Sequence, residues 1–365
     1  MKLLYITNGI NASGGLERVL SIKASYLAEN YGYEVTILSL NNNHLNPFYE
    51  FSKKIKMVSI DVGGNPIQYF LSYKNGICNI VKKYNPDVIS VCDDGLKAFF
   101  LPKILRIKTP VIYERHVSKE VEMNNEFSFR KKLGVKLKWQ LMEFLAKDFS
   151  KFVVLTNGNK KEWSSLQNLT VIANPLSFYP EQSSSLQNKT VISVGRHSYQ
   201  KGYDLLLSSW QKVLMKCPDW KLEIYGKVDD SLGLVRLAEK LGIEKSITFY
   251  KPERDISQKY LESSLYVMSS RYEGFGMVLI EAMACGLPCV SFDCNYGPSD
   301  IIIDSIDGFL VEKENKSALA EKIVFLIDNL ELRRTMGSKG KENVKRYLAK
   351  PIVDNWDRLF KSLFK

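Results

Sequence analysis

Two glutamates, Glu273 and Glu281, stand eight positions apart in the stretch RYEGFGMVLIE at 271–281. The apolar run at 265–270 predicts a strand that delivers Glu273 to a loop with two glycines. Met277 to Cys285 then carries helical periodicity up to a Gly286 stop and Pro288. One carboxylate therefore precedes a helix, and the other sits about a turn inside it. Backbone N–H groups of Gly274, Phe275 and Gly276 would crowd a helix N-terminus, where unpaired donors and the positive dipole end attract phosphate. Two carboxylate acceptors beside a phosphate nest suit a ligand rich in hydroxyls.

A second group opens the C-terminal half, where the strand Thr190 to Val194 runs into GRHSYQKG at 195–202 and a helix begins near Asp204. Arg196 offers a planar fork and Lys201 a point charge, a pair able to neutralise a diphosphate without a metal ion. Two solvated surface cations are the plainer alternative. Their place at the carboxyl end of a strand, where open α/β sheets bind ligands, favours the phosphate reading. A third glycine loop, Gly14-Gly15, follows the first strand and leads into a helix. A ligand contact and a tight turn both fit it. His116, just past the strand Val111 to Glu114, fits either a general-base or hydrogen-bonding role or a structural one. His197 and His44 suggest no role. Neither G-x-G-x-x-G nor G-x-x-x-x-G-K-[ST] occurs, which disfavours dinucleotide and P-loop chemistry.

These loops need parallel sheets to position them. Short apolar strands near 2–7, 34–40, 87–91, 110–114 and 151–155, then 190–195, 221–225, 246–250, 265–270 and 288–292, alternate with amphipathic helices. With 365 residues and 45% hydrophobic content, the expectation is two doubly wound Rossmann-like α/β domains facing a cleft. The first would span 1–174 and the second 190–350. Residues 175–189, rich in Ser, Gln and Pro, read as the linker. Three terminal helices are expected at 316–328, 331–348 and 352–364, with Pro351 breaking the last from its predecessor. The final helix, at 351–365, is expected to return towards the first domain.

The opening segment turns polar at Thr7 and reads as a strand rather than a signal peptide, and no run approaches the roughly 18 apolar residues of a spanning helix. A cytoplasmic protein is expected, or one peripheral on the cytosolic face of a membrane. Six cysteines then read as reduced thiols. Cys285, Cys289 and Cys294 lie close in sequence but lack a paired C-x-x-C and a fourth ligand, so core positions are expected rather than zinc. The net charge of +11 is uneven: residues 1–180 carry 24 Lys+Arg against 15 Asp+Glu, the remainder 27 against 25. That bias suggests an anionic partner for the first half. The stretch 127–145, where Arg130, Lys131, Lys132, Lys136 and Lys138 interleave with bulky apolar residues, either lies on an anionic membrane or packs on its own sheet. Nucleic acid is disfavoured, since no aromatic-rich binding motif accompanies the charge.

Taken together, the motifs resemble the retaining, nucleotide-sugar-dependent glycosyltransferases of family four, which have the two-domain GT-B fold. The resemblance rests on the Glu273/Glu281 pair, Gly195-Arg196 with Lys201-Gly202, the run Gly14-Gly15-Leu16-Glu17-Arg18, and Asn174-Pro175 at the end of the first domain. It implies that Arg196 and Lys201 bind the donor diphosphate and stabilise it as it leaves. It also places Glu281 on the ribose hydroxyls and Glu273 on the donor hexose, with Gly274, Phe275 and Gly276 at sugar and phosphate. His116 would lie near the donor sugar, and Gly15 near the diphosphate. The resemblance implies a UDP-linked hexose donor, front-face substitution and no metal. The absence of an Asp-x-Asp pair in a plausible site is consistent with that. The stretch from Asp293 to Asp300, with Asp307-Gly308, is similar to bacterial transferases that build surface polysaccharides and use glycan or polyprenyl-diphosphate-linked acceptors. A nucleotide-sugar epimerase of the same fold is the alternative.

Overall fold

The computed structural model describes residues 1–12, 14–42, 46–122 and 128–364. His44 and Phe127 lie outside the described residues. The chain divides into two compact units, Met1–Ser177 with Ala349–Lys365, and Phe178–Leu348.

Among its described residues the first unit holds seven strands: β1 (Lys2–Thr7), β2 (Glu34–Leu40), β3 (Lys56–Ile60), β4 (Val88–Cys92), β5 (Val111–Glu114), β6 (Lys151–Val154) and β7 (Leu169–Val171). They form one parallel sheet in the order β3-β2-β1-β4-β5-β6-β7. Its helices are α1 (Gly15–Asn30), α2 (Pro66–Tyr84), α3 (Leu96–Phe99), α4 (Leu101–Leu105), α5 (Phe129–Ala146) and α6 (Asn157–Glu162). Helix α2 shows how local chemistry sets a boundary. The Asn65 side chain accepts from the backbone of Ile67 and Gln68, Gln68 reaches back to the Asn65 N–H, Pro66 takes the first helical position, and Asn85 ends the helix in a left-handed turn.

The second unit has six strands: β8 (Thr190–Val194), β9 (Lys221–Tyr225), β10 (Ile247–Tyr250), β11 (Leu265–Met268), β12 (Cys289–Phe292) and β13 (Gly308–Val311). These pair in parallel in the order β10-β9-β8-β11-β12-β13. Its helices are α7 (Tyr203–Leu214), α8 (Leu234–Leu241), α9 (Ile256–Leu261), α10 (Met277–Ala284), α11 (Pro298–Ile301), α12 (Lys316–Asp328) and α13 (Leu330–Asn343). Helix α14 (Ala349–Leu363) belongs to the first unit.

Central strands such as β4 and β12 are buried along their whole length, as expected where helices cover both faces of a parallel sheet. Two Rossmann-like α/β layers were expected, and both are present. Helix α14 returns to the first unit as expected, packing on α1, with Tyr33 donating to Asp357 Oδ1 at 2.9 Å. Pro351 does not separate the last helices. It sits in the first turn of α14, where its missing N–H has no helical acceptor to lose, and the chain breaks at Leu348. Residues 178–189, expected within the linker, are held in the second unit. Ser184 N–H donates to Cys285 O at 2.8 Å, and the Lys341 ammonium donates to the carbonyls of Glu181 and Gln182. Among the described residues no helix is long and apolar enough to cross a membrane.

Candidate active site

In each sheet the chain winds outward from one strand and then crosses back to its other side. In the second unit it runs β8, β9, β10 and then β11 on the far side of β8, so the loops after β8 and β11 diverge at a topological switch point. Those two loops carry Arg196, Lys201, Glu273 and Gly274 to Gly276. In the first unit the corresponding strands are β1 and β4, and Gly14-Gly15 follows β1.

The two loops of the second unit are fastened to each other. Arg271 N–H donates to Gln200 O at 2.7 Å, and Gln200 returns a bond to Tyr272 O at 3.1 Å. The Arg271 guanidinium grips Asp204 through both carboxylate oxygens at 2.9 and 2.6 Å, donates to Tyr199 O at 2.8 Å, and lies 4.1 Å from the centre of the Tyr199 ring. Gly202 adopts a left-handed φ of +61°, and a Cβ there would stand 2.2 Å from Ser269 O, so only glycine allows this approach. A Cβ on Gly195 would meet Lys201 Cε at 2.9 Å, because the lysine stem crosses directly over that glycine at the end of β8.

This fastening brings Lys201 and Glu273 together, though 72 residues apart in sequence. The Lys201 ammonium donates to Glu273 Oε1 at 2.7 Å, and the same oxygen accepts from Ser270 Oγ at 2.6 Å. Glu273 is buried and its Lys201 partner nearly so. The Arg196 guanidinium is exposed and, among the described residues, makes neither a hydrogen bond nor an ion pair. One cation is therefore fixed by a carboxylate, and its neighbour is open to an incoming anion. His197 is turned into the core between Tyr203 and Phe249, and burial pushes its pKa down.

Helix α10 starts at Gly276, which has a φ of +100° and no side-chain cap, so its first-turn N–H groups are not satisfied by a capping residue. Phe275 is buried edge-on against Tyr347, so its ring anchors the loop. Glu281 lies in the second turn of α10 and is almost wholly buried. Cys285, Cys289 and Cys294 are free and buried. Burial raises all three thiols, Cys285 to about 12, which suits core positions.

In the first unit His116 Nε2 lies 3.2 Å from Glu114 Oε2. Glu114 is buried beside the Lys23 ammonium and also accepts from Ser90 Oγ at 2.5 Å. Burial alone would raise its pKa, but Lys23 and then His116 outweigh this and hold it at about 2. A carboxylate that stays ionised only accepts, so the His116 nitrogen that faces it, Nε2, carries a proton, and the other ring nitrogen is Nδ1. That Nδ1 is buried and, among the described residues, has no hydrogen-bond partner. Glu17, on α1 just after Gly14-Gly15, is raised by burial and feels the charge of His116, so the glycine loop and the histidine share one neighbourhood. A Cβ on Gly15 would meet nothing within 4 Å, whereas one on Gly14 would strike Glu17.

Among the described residues, Cys92, Glu114 and His116 form one group of metal-ligand types, with ligand atoms within 4.8 Å. The Lys23 ammonium already neutralises Glu114, and burial raises the Cys92 thiol well above its ordinary value, so this chemistry suits a buried ion-pair network better than a metal cation. The sequence reading missed Lys23, Ser270 and the Arg271–Asp204 clasp. Lys23 had a signal: it falls at helical spacing among the buried Leu20, Ala24 and Leu27, a charge on an apolar face.

Comparison with known proteins agrees with this architecture. Residues 178–343 match the family model described as glycosyl transferases group 1. The chain is 32% identical to an uncharacterized glycosyltransferase of Haemophilus influenzae over 97% of its own length and 98% of that protein's. It is also 32% identical to the amylovoran biosynthesis glycosyltransferase AmsD of Erwinia amylovora, over 98% of each chain. Among solved structures, HepE of Anabaena in complex with UDP and glucose superposes with a TM-score of 0.79 at 18% identity, covering 99% of this chain and 100% of that one. The family resemblance seen in the sequence and the fold resemblance seen in the structure thus meet, and the chain belongs to the group 1 glycosyltransferases with the GT-B fold.

Proposed function

We propose that this glycosyltransferase moves a hexose from a nucleoside diphosphate sugar, UDP-linked, to a glycan or polyprenyl-diphosphate-linked acceptor, with retention and without a metal ion, in assembly of a surface polysaccharide. The observation that carries this reading is the Arg196/Lys201 loop pinned against Glu273 at the switch point of the second sheet. Two cations there supply the positive charge that a divalent ion would otherwise bring to a departing diphosphate. Arg196 captures the phosphates, and Lys201 stabilises the charge that grows as the sugar–oxygen bond breaks. Backbone N–H groups at the start of α10 add fixed donors. Glu273 accepts from hexose hydroxyls and Glu281 from the ribose. In the first unit, His116 offers Nδ1 to a sugar or acceptor hydroxyl and Gly15 leaves room for the diphosphate. The names of AmsD and of HepE with UDP and glucose support a polysaccharide role and a UDP-linked donor.

Glu273→Gln keeps shape but removes charge, so transfer should fall roughly 10- to 100-fold, the worth of a charge-assisted hydrogen bond, with UDP affinity changing far less. Equal losses in turnover and in UDP affinity by calorimetry would contradict the sugar-side assignment. The reading as a whole is tested by incubating the protein and EDTA with a panel of nucleotide sugars and lipid-linked acceptors, then determining product mass and anomeric configuration. Transfer with the donor's anomeric configuration kept is expected. An inverted product, dependence on added metal, or an epimerised donor sugar in place of transfer would overturn it.

A further inference from the structure

Lys23, Glu114 and Trp356 meet from three elements of the first unit, and no step of the proposed reaction uses them. Lys23 lies midway along α1, Glu114 ends β5 two residues before His116, and Trp356 comes from α14, the last helix of the chain. The Lys23 ammonium donates to Glu114 Oε2. Aromatic faces close in the rest of it, with the Trp356 ring centre 3.9 Å away and that of Tyr5 5.0 Å away. Trp356 is itself held in place. Ile352, Val353 and Phe360 of α14 are buried with it, and two tyrosines just past the end of α1, Tyr31 and Tyr33, donate to Asp354 and Asp357 of that helix.

The oxygen of Glu114 that takes the ammonium is also the one that faces His116, whose Nε2 stands 3.2 Å from it. The other oxygen accepts from Ser90 Oγ at 2.5 Å, so the carboxylate cannot turn without breaking a contact. The backbone beneath is fixed separately, since Arg115 N–H donates to Val153 O at 2.9 Å. What the carboxylate controls is therefore the imidazole ring, whose χ2 is otherwise broadly free. A buried ion pair is a weak stabilising device, because apolar residues of similar volume are often as stable or more so. Those residues would not supply an acceptor for Nε2.

We infer that Glu114, Lys23 and Trp356 are positioning residues for His116. Trp356 seats the ammonium, the ammonium fixes the carboxylate, and the carboxylate holds the imidazole through Nε2, so the last helix of the chain sets the orientation of a ring in the candidate site. The inference deepens the proposed part of His116 at the sugar and rests on that reading for its catalytic meaning.

The test pairs a spectroscopic with a kinetic readout on the full chain. In protein labelled with nitrogen-15 histidine, a ring N–H held on a buried carboxylate should give a downfield, slowly exchanging resonance, assigned to His116 by its loss in His116→Ala. That signal should vanish in Lys23→Met/Glu114→Met, whose apolar pair keeps the volume and a thermal midpoint near the parent's. It should exchange faster in Trp356→Leu but persist in Trp356→Phe, which keeps a ring face over the ammonium. Turnover with the donor and acceptor found in the panel above should fall roughly tenfold in the methionine pair and roughly threefold in Trp356→Leu, with UDP affinity unchanged. Neither change should lower it further on the His116→Ala background. A ring signal that survives in the methionine pair, parental turnover in that variant, or losses that multiply with that of His116→Ala would overturn the inference. The two Trp356 variants leave the ion pair in place, so they decide the matter even where the methionine pair does not fold, and identical spectra from them would also overturn it. Undiminished transfer by His116→Ala contradicts the reading of the site instead, and the ring signal, which needs neither donor nor acceptor, still decides whether the three residues hold the imidazole.

Discussion

Lys201→Ala should lower the turnover of glycosyl transfer by about 10² to 10³, equivalent to about 3 to 4 kcal/mol of barrier, while the protein stays folded. The size follows from where the ammonium sits. It is little exposed, carried over Gly195 at the end of β8, and fixed at 2.7 Å by Glu273 Oε1, so it is oriented before any charge develops. A preorganised cation in a partly desolvated position stabilises a leaving diphosphate far more than a mobile surface lysine would. Arg196 remains in the variant, so UDP binding should weaken by only about tenfold. The substitution also leaves Glu273 without its cation, which makes Glu273→Gln the companion variant. If the loss came from a stranded carboxylate, Lys201→Ala/Glu273→Gln would rise to the turnover of Glu273→Gln alone, whereas loss of leaving-group stabilisation predicts that it stays well below that level. Near-normal transfer by folded Lys201→Ala would remove the lysine from the site.

Lys23→Met should destabilise the first unit by about 3 to 5 kcal/mol, because removing one partner of a buried pair strands the other charge. Lys23 and Glu114 are each about 1% exposed. The ammonium is enclosed by the rings of Tyr5 and Trp356, at 5.0 and 3.9 Å from their centres, so water cannot substitute for it. In a unit of this size such a loss lowers the thermal midpoint by roughly 10 °C. Its pH dependence has a definite sign. Glu114 is depressed from 4.5 to about 2, so its contribution is fully present above about 4.5 and is lost as the pH falls through about 2. Thermal unfolding should therefore show the gap between parent and variant narrowing as the pH falls across that window. Lys23→Met/Glu114→Gln should regain part of the loss at neutral pH. A variant as stable as the parent would show that the pair is dispensable.

What the sequence reveals and what it conceals follow from sheet position. The interior strands β1, β4, β8, β11 and β12 have helices over both faces and stand out as apolar runs. The three strands absent from the sequence reading, β3, β7 and β13, are all at sheet edges. Strand β3 contains Lys56 and Ser59 and is exposed or half-buried, β7 has three residues, and β13 opens with Gly308, so none offers the signature of a buried strand. Candidate site residues were legible where a strand, a glycine loop and a helix are consecutive, as around Glu273 and Lys201. The partnerships that fix them are not local. Lys201 with Glu273, Arg271 with Asp204 and Lys23 with Glu114 are brought together only by the order of the strands. Pro351 illustrates a further limit, since proline both ends helices and starts them, and here it serves at the start.

The central claim is coupled bond exchange: the sugar leaves its nucleoside diphosphate as it joins an acceptor. The most direct measurement follows nucleoside diphosphate release and acceptor glycosylation together, with UDP-sugar as donor, in the parent and in Lys201→Ala. The account predicts one nucleoside diphosphate released for each sugar on the acceptor, little release without acceptor, and both signals lowered together in the variant. Release without glycosylation of any acceptor, or an undiminished rate in Lys201→Ala, would contradict it.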